Sequence, residues 1–176
     1  TVVHDITNPH NLIEVAHYDS SPLSGDGFDG CWGTYPFLPS GNIISSDINS
    51  GNNNNGRLLI YSRDFLQACY LEGNVSDITN SNPITNATVE ILNSVLTVQT
   101  STDLSGNYMT GIANSSSYDI VFSAPGYLSD TINATFSNGN TTIVNSQLQP
   151  LQSFNTSGSV IDVNGIGIPN SDVLIY

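Results

Sequence analysis

Between residues 71 and 151, short β-branched and aromatic runs alternate with polar positions. Clusters of Gly, Asn, Asp, Pro and Ser cut them about every ten residues. The pattern predicts strands near 71–76, 87–93, 95–100, 107–112, 118–123, 130–136 and 141–149. Seven short strands in about 80 residues predict an antiparallel β-sandwich. Ahead of it, Thr1–Ile6 and Leu12–Tyr18 read as strands around the turn Asn8-Pro9-His10-Asn11. A glycine-rich loop, Ser20–Gly30, leads to strands at Cys31–Leu38 and Asn42–Asp47. The polar stretch Ile48–Gly56 precedes a further strand at Arg57–Ser62. Asp64–Tyr70 reads equally as a helical turn or a strand entering the sandwich.

The opening of the sandwich pattern recurs at the C-terminal end. Gly73-Asn74-Val75 matches Gly158-Ser159-Val160 at an offset of 85 residues, and Ile84–Ile91 (ITNATVEI) matches Ile168–Ile175 (IPNSDVLI) at 84. The chain therefore divides into a β-rich region (1–70), a sandwich (71–151) and a partial β module (152–176). The fold class is all-β. In the partial module Val160, Val163, Ile166, Ile168, Val173 and Ile175 have no partner sheet in the remaining sequence. Ordering a residue costs about 1–2 kcal/mol of backbone entropy, so Ser153–Tyr176 must gain a sheet or stay disordered. Two solutions are open: a longer polypeptide, or exchange of strands between copies. In the second these residues are the assembly strand of a head-to-tail homopolymer.

Composition narrows the partners. Fifteen acidic residues face only Arg57 and Arg63, a net charge of −13 with no lysine. Such a chain repels phosphate backbones and anionic lipid, which argues against nucleic acid and membrane surfaces. Without lysine there is no Schiff-base chemistry, no phosphate-binding P-loop and no lysine isopeptide cross-link. No apolar run is long enough for a membrane-spanning helix.

Catalytic signatures are missing from the pattern. All three histidines, His4, His10 and His17, fall in the first 17 residues at spacings that match no metal motif, and no Gly-x-Ser-x-Gly elbow is present. Glu14, Glu72 and Glu90 do not suggest a glycosidase pair. The reading is non-catalytic, with no cofactor beyond a structural calcium held by Asp26, Asp29 and Asp47, or by Asp103, Ser105 and Asn107. Cys31 and Cys69, 38 residues apart, are expected to form a disulfide worth about 4 kcal/mol in an oxidising compartment. Six sequons, at Asn74, Asn86, Asn114, Asn133, Asn140 and Asn155, are candidate glycan acceptors. A chain this rich in Asn, Ser and Thr produces about that many by chance, but all six follow Tyr70. Asp130-Thr131-Ile132 adds Thr131 as an O-glycan candidate. Trp32, Tyr35, Phe37 and Tyr61 are expected mainly in a core, with a sugar platform as the other reading.

Two resemblances sharpen this picture. Gly73-Asn74-Val75-Ser76-Asp77, Pro83-Ile84-x-Asn86-Ala87-x-Val89, Thr102-Asp103-Leu104-Ser105-Gly106-Asn107-Tyr108 and Ala124-Pro125-Gly126-Tyr127 together resemble the carboxypeptidase regulatory-like domain, a transthyretin-like sandwich. Members are typically non-catalytic spacers or stalk modules on secreted proteins. The Asp103–Gly106 segment is expected to make a hairpin turn that starts Tyr108 inside the core. Separately, NPHNLIEVAHYD, WGTYPFLPSGNIISSD (Trp32–Asp47) and RLLIY are similar to the C-terminal end of the choice-of-anchor B family of bacterial surface proteins. That implies a propeller-blade-like region, which cannot bury its face alone. The expected role is a secreted bacterial stalk or fibre subunit, extracellular or at the cell surface, assembling with copies of itself by strand complementation. The alternatives are a carbohydrate- or cell-binding adhesin module and an accessory fragment of a secreted hydrolase.

Overall fold

The computed structural model describes residues 1–21, 30–48, 56–94, 98–152 and 157–173. Every element in them is a strand: β1 (Val2–Asp5), β2 (Ile13–His17), β3 (Gly30–Tyr35), β4 (Ile43–Ile48), β5 (Arg57–Tyr61), β6 (Cys69–Asp77), β7 (Thr88–Ile91), β8 (Val98–Ser101), β9 (Asn107–Ile112), β10 (Ser117–Ser123), β11 (Asp130–Thr135), β12 (Thr141–Ile143) and β13 (Ser146–Leu148).

The sandwich is built from β6 to β13. One sheet runs β11-β10-β7-β8; in the other, β6 pairs with β9 on one side and with β12 and β13 on the other. Period-two burial explains why these segments become strands. In β10, Tyr118, Ile120 and Phe122 point inward while Asp119 and Val121 do not, and in β7 Val89 and Ile91 do the same. Leu71, Val75, Tyr108, Phe136 and Leu148 close the core between the sheets. Two edge-on ring pairs, Tyr108–Phe122 and Tyr118–Phe136, cross it with centroids 5.8 and 5.5 Å apart. Thr102 locks the sheet entry: its buried hydroxyl accepts from the Ala87 amide (2.8 Å) and donates to the Ile84 carbonyl (2.6 Å).

One expectation needs correction. The last strand, predicted as a continuous antiparallel 141–149, is two short strands, and both run parallel to β6. The chain leaves β11 on one sheet and turns at Asn138-Gly139-Asn140. It then returns along β6 in the same direction, stepping at Val144-Asn145.

The N-terminal region forms a β1–β2 hairpin and a three-stranded sheet, β3-β4-β5. The hairpin is tied to the sandwich. The Ala68 amide donates to the Asp5 carboxylate (2.7 Å), and the Asn11 side-chain amide donates to the Thr110 carbonyl (2.9 Å). Ile13, Ala68 and Tyr70 make a small second core at this junction. Asp64–Ala68 is neither helix nor strand. Among the described residues no helix is long and apolar enough to cross a membrane.

Candidate functional site: a second hairpin without a sandwich

After the sandwich, residues 157–173 rebuild the entry of the first module bond for bond. In the first copy the Ile84 amide donates to the Val75 carbonyl (3.0 Å); in the second, Ile168 donates to Val160 (2.9 Å). Asp77 N to Asn82 O (2.9 Å) becomes Asp162 N to Ile166 O (2.8 Å), and Ser81 N to Asp77 O (2.8 Å) becomes Gly165 N to Asp162 O (3.0 Å). The Asp77 carboxylate accepts from the Thr79 amide (2.7 Å), and Asp162 accepts from Asn164 (2.9 Å). The bridge Ser76–Pro83 recurs as Ile161–Gly167. Even the left-handed residue is retained, Asn86 at φ 55° and Asn170 at φ 58°. Asn tolerates that region better than other side chains.

Burial is what differs. Val75 and Ile84 are 0% and 7% exposed, whereas Val160 and Ile168 are 40% and 48% exposed, and Val163 is fully exposed. Ile161, Ile166 and Val173 are also open to solvent, and the hydrogen bonds from 157–173 stay within that segment. Ile175 lies outside the described residues. The hairpin is therefore locally formed and tertiarily uncovered.

Glycines record what is missing. A Cβ built on Gly73 would fall on the Val144 carbonyl, where the chain steps between β12 and β13; Gly158, its repeat equivalent, has nothing within 4 Å. The step is held by three further bonds. Val144 N donates to Glu72 O (3.0 Å), Asn74 N donates to Asn145 Oδ1 (2.9 Å), and the Tyr108 hydroxyl donates to Val144 O (2.7 Å). Burial pushes the Tyr108 hydroxyl well above the ordinary tyrosine range. The sequence repeat marked Gly158, but only this contact shows why a glycine stands there.

A comparison with protein families gives a match over residues 70–149, which holds the hairpin, the Asp103–Gly106 turn and the Val144 step. Residues 70–149 carry a carboxypeptidase regulatory-like domain. The match takes in less than half of the chain. No curated protein matches the sequence. Among solved structures, GBS52, the minor pilin of Streptococcus agalactiae, is 14% identical with a TM-score of 0.41, covering 70% of this chain and 66% of that one. Catechol 1,2-dioxygenase from Pseudomonas arvilla C-1 is 13% identical with a TM-score of 0.42, covering 52% and 55%. The pilus 2b backbone protein of group B streptococcus is 11% identical with a TM-score of 0.40, covering 66% and 52%. The chain spans between about half and two thirds of these proteins. Likeness at that level carries no argument about function.

Within the regulatory-like domain, the turn expected at Asp103–Gly106 is present. Gly106 N donates to Asp103 O (3.1 Å), and Asp103 Oδ1 accepts from the Ser105 and Asn107 amides (2.8 and 2.9 Å). That oxygen is thereby engaged in the turn. Asp47, the described member of the other acidic set, is buried with Arg57 3.4 Å from Oδ2, while Oδ1 has no hydrogen-bond partner. Asp26 and Asp29 lie outside the described residues. Among the described residues no three metal-ligating side chains gather, and His17 lies beside Glu14 (2.6 Å).

The sequons divide by environment. The Asn74 amide is engaged with Ser105 O (2.9 Å) and Asn107 Oδ1 (3.1 Å), and that of Asn133 with Asp119 (2.7 Å). Asn86, Asn114 and Asn140 are exposed, as is Thr131 on β11; Asn155 lies outside the described residues.

The disulfide expected between Cys31 and Cys69 is not formed. Cys69 is buried in the sandwich core, where desolvation pushes its thiol up, while Cys31 sits on β3 of the separate three-stranded sheet. There Cys31 Sγ lies 2.9 Å from the buried Ser45 hydroxyl and 3.5 Å from Thr34 Oγ1, and 3.7 Å from Thr1 Oγ1. Hydrogen bonding, first from Ser45 and then from Thr34, pulls the thiol down to about 7. Nothing in the sequence around Cys31 announced this cluster, because Ser45 comes from the neighbouring strand β4.

The aromatic residues are a second correction. Trp32, Tyr35 and Phe37, expected in a core, are exposed; only Tyr61 is partly covered, against Tyr18 (ring centroids 5.7 Å apart). Tyr35 and Ile60 flank Ile44 in register across the sheet, so the face carrying this row is apolar and open.

Proposed function

We propose that this protein is a non-catalytic structural component of an extracellular or cell-surface assembly, a stalk or fibre subunit built from β modules in series. The observation that supports it most directly is the second hairpin, a pre-folded module entry whose apolar positions Val160, Ile168 and Val173 are uncovered. Two or more strands must be added before such a hairpin buries a face, so a neighbouring subunit that supplies them gains contact area and directionality together. The regulatory-like domain then acts as a rigid spacer. The N-terminal sheet, with its open Tyr35–Ile44–Ile60 row, is read as a blade-like unit that stacks on a further β unit. Glycans at Asn86, Asn114, Asn140 or Thr131 suit this role, because they project from strand edges and turns. Asn74 does not suit it, its amide being engaged.

The test is location. Gold-labelled antibody on intact source cells should decorate surface filaments or an outer layer; label confined to the cell interior overturns the proposal. Peptide masses over the sequons should then show added sugar at Asn86, Asn114 or Asn140 and none at Asn74.

One observation favours a second reading, an adhesin module. Exposed Trp32, Tyr35 and Phe37 lie on β3 and the turn after it, with Tyr35 and Phe37 edge-on at 5.7 Å. Glycan-array binding abolished by Trp32→Ala would support it, and an array without hits would reject it.

A further inference from the structure

In the regulatory-like domain the uncharged segment Thr141–Leu148 lies along β6 as two parallel strands, stepping over Gly73. Its register is set by main-chain bonds and by Asn145, which caps the Asn74 amide. Leu148 fills the core beside Val75. The second hairpin repeats the acceptor half of this arrangement. It has the glycine, the same internal bonds, and Val160 in the place of Val75. On the side where β13 pairs with β6, residues 158–162 have no partner among the described residues.

We propose that Gly158–Asp162 is an acceptor edge for an extended strand of the Ile143–Leu148 kind, running parallel to it and supplied by a second polypeptide. The inference rests on the structural reading above and names the contact that reading needs. Charge favours an occupant of this chemistry. The chain carries −13, so an acidic segment would be repelled, whereas Thr141–Gln149 has no ionisable side chain. The one carboxylate of the edge, Asp162, already accepts from the Asn164 and Ile166 amides (2.9 and 2.8 Å), which hold it below its usual range. A neutral strand therefore meets no unpaired charge. Exchange between identical copies does not fill the edge at a net gain. Each copy carries one such strand and two edges that fit it, so a swap moves the opening from the hairpin to β6. The occupant is a polypeptide that brings an additional strand.

The experiment uses the 176-residue chain and a fluorescent synthetic peptide of residues 141–150 (TTIVNSQLQP). Saturable binding is expected, with amide exchange slowed at least tenfold at residues 158–162. Gly158→Val should abolish both, because a branched side chain occupies the step site, while leaving the melting of the sandwich unchanged. A scrambled peptide should not bind. The proposal is overturned by absence of binding at millimolar peptide, by binding that Gly158→Val does not alter, or by protection appearing on β6 instead. A native protein whose own downstream chain already protects 158–162 overturns it as well. These readouts concern the edge alone, whereas surface labelling concerns the role alone, so either can fail without the other.

Discussion

The Tyr108 hydroxyl donates to the Val144 carbonyl at 2.7 Å, 36 residues away, and this one bond pins the step of the returning strand against β9. The same carbonyl lies over Gly73, so two positions of the regulatory-like domain are set by one backbone oxygen.

Tyr108→Phe keeps the ring against Phe122 and removes only the donor. A buried carbonyl left without its partner costs about 1–3 kcal/mol. Urea denaturation should therefore show a lower midpoint with an unchanged slope, and an unchanged midpoint would mean that water replaces the hydroxyl.

Gly73→Ala and Gly158→Ala are the same substitution at repeat-equivalent positions with opposite expected outcomes. At Gly73 the new methyl meets backbone that cannot move without separating β12 from β13, so a loss of about 3 kcal/mol or more is expected. At Gly158 it meets nothing, and the melting temperature of the isolated chain should not change. Equal effects at both sites would contradict the assignment of the step.

Asp77 is buried, and its carboxyl is held below its usual range, chiefly by the Thr79 hydroxyl and amide and further by Tyr127, whose hydroxyl donates at 3.0 Å. A carboxyl depressed in the folded state stabilises at neutral pH and loses that contribution as pH falls through its folded pKa. Tyr127→Phe removes one donor, so the folded pKa rises toward the ordinary value. The variant should be less stable at neutral pH and begin its acid loss at higher pH than the parent. The gap between the two should narrow below about pH 4, where the carboxyl protonates in both states. Thermal melts between pH 2 and 7 read this directly; a gap independent of pH would remove Asp77 from the account.

Cys31 should be alkylated by iodoacetamide with a half-maximal rate near pH 7, since the thiolate is the nucleophile and its pKa is lowered to about 7. Ser45→Ala removes the largest stabilising hydrogen bond and should move that midpoint upward, slowing reaction at neutral pH. Cys69, buried in the core, should react only after unfolding. Mass spectrometry of the two cysteine peptides separates the cases, and equal labelling in the folded protein would reject the assignment.

Much of the sandwich was legible along the chain. Period-two alternation in stretches such as Tyr118–Phe122 and Thr88–Ile91 is a local consequence of strand geometry, so it can be read without knowing the partner strand. The Asp103–Gly106 turn and the repeat of 73–91 at 158–175 were equally visible, because turns and repeats are carried by neighbouring residues. The hairpin hydrogen bonds of the second copy form between residues fewer than ten positions apart, which is why the repeat alone predicted them.

What depended on the tertiary structure was every relationship across the chain. The parallel course of β12 and β13 follows from a crossover between sheets, which leaves no local signature. Cys31 meets Ser45 and not Cys69 because the two cysteines fall in different packing units, and sequence spacing reports only loop length. Trp32, Tyr35 and Phe37 have the composition of a core but line a sheet face that nothing among the described residues covers. The chain thus determines which segments become strands through short-range sterics and alternation. Which faces those strands bury, and that Gly158 waits for a backbone that Gly73 already holds, is decided only when distant segments meet.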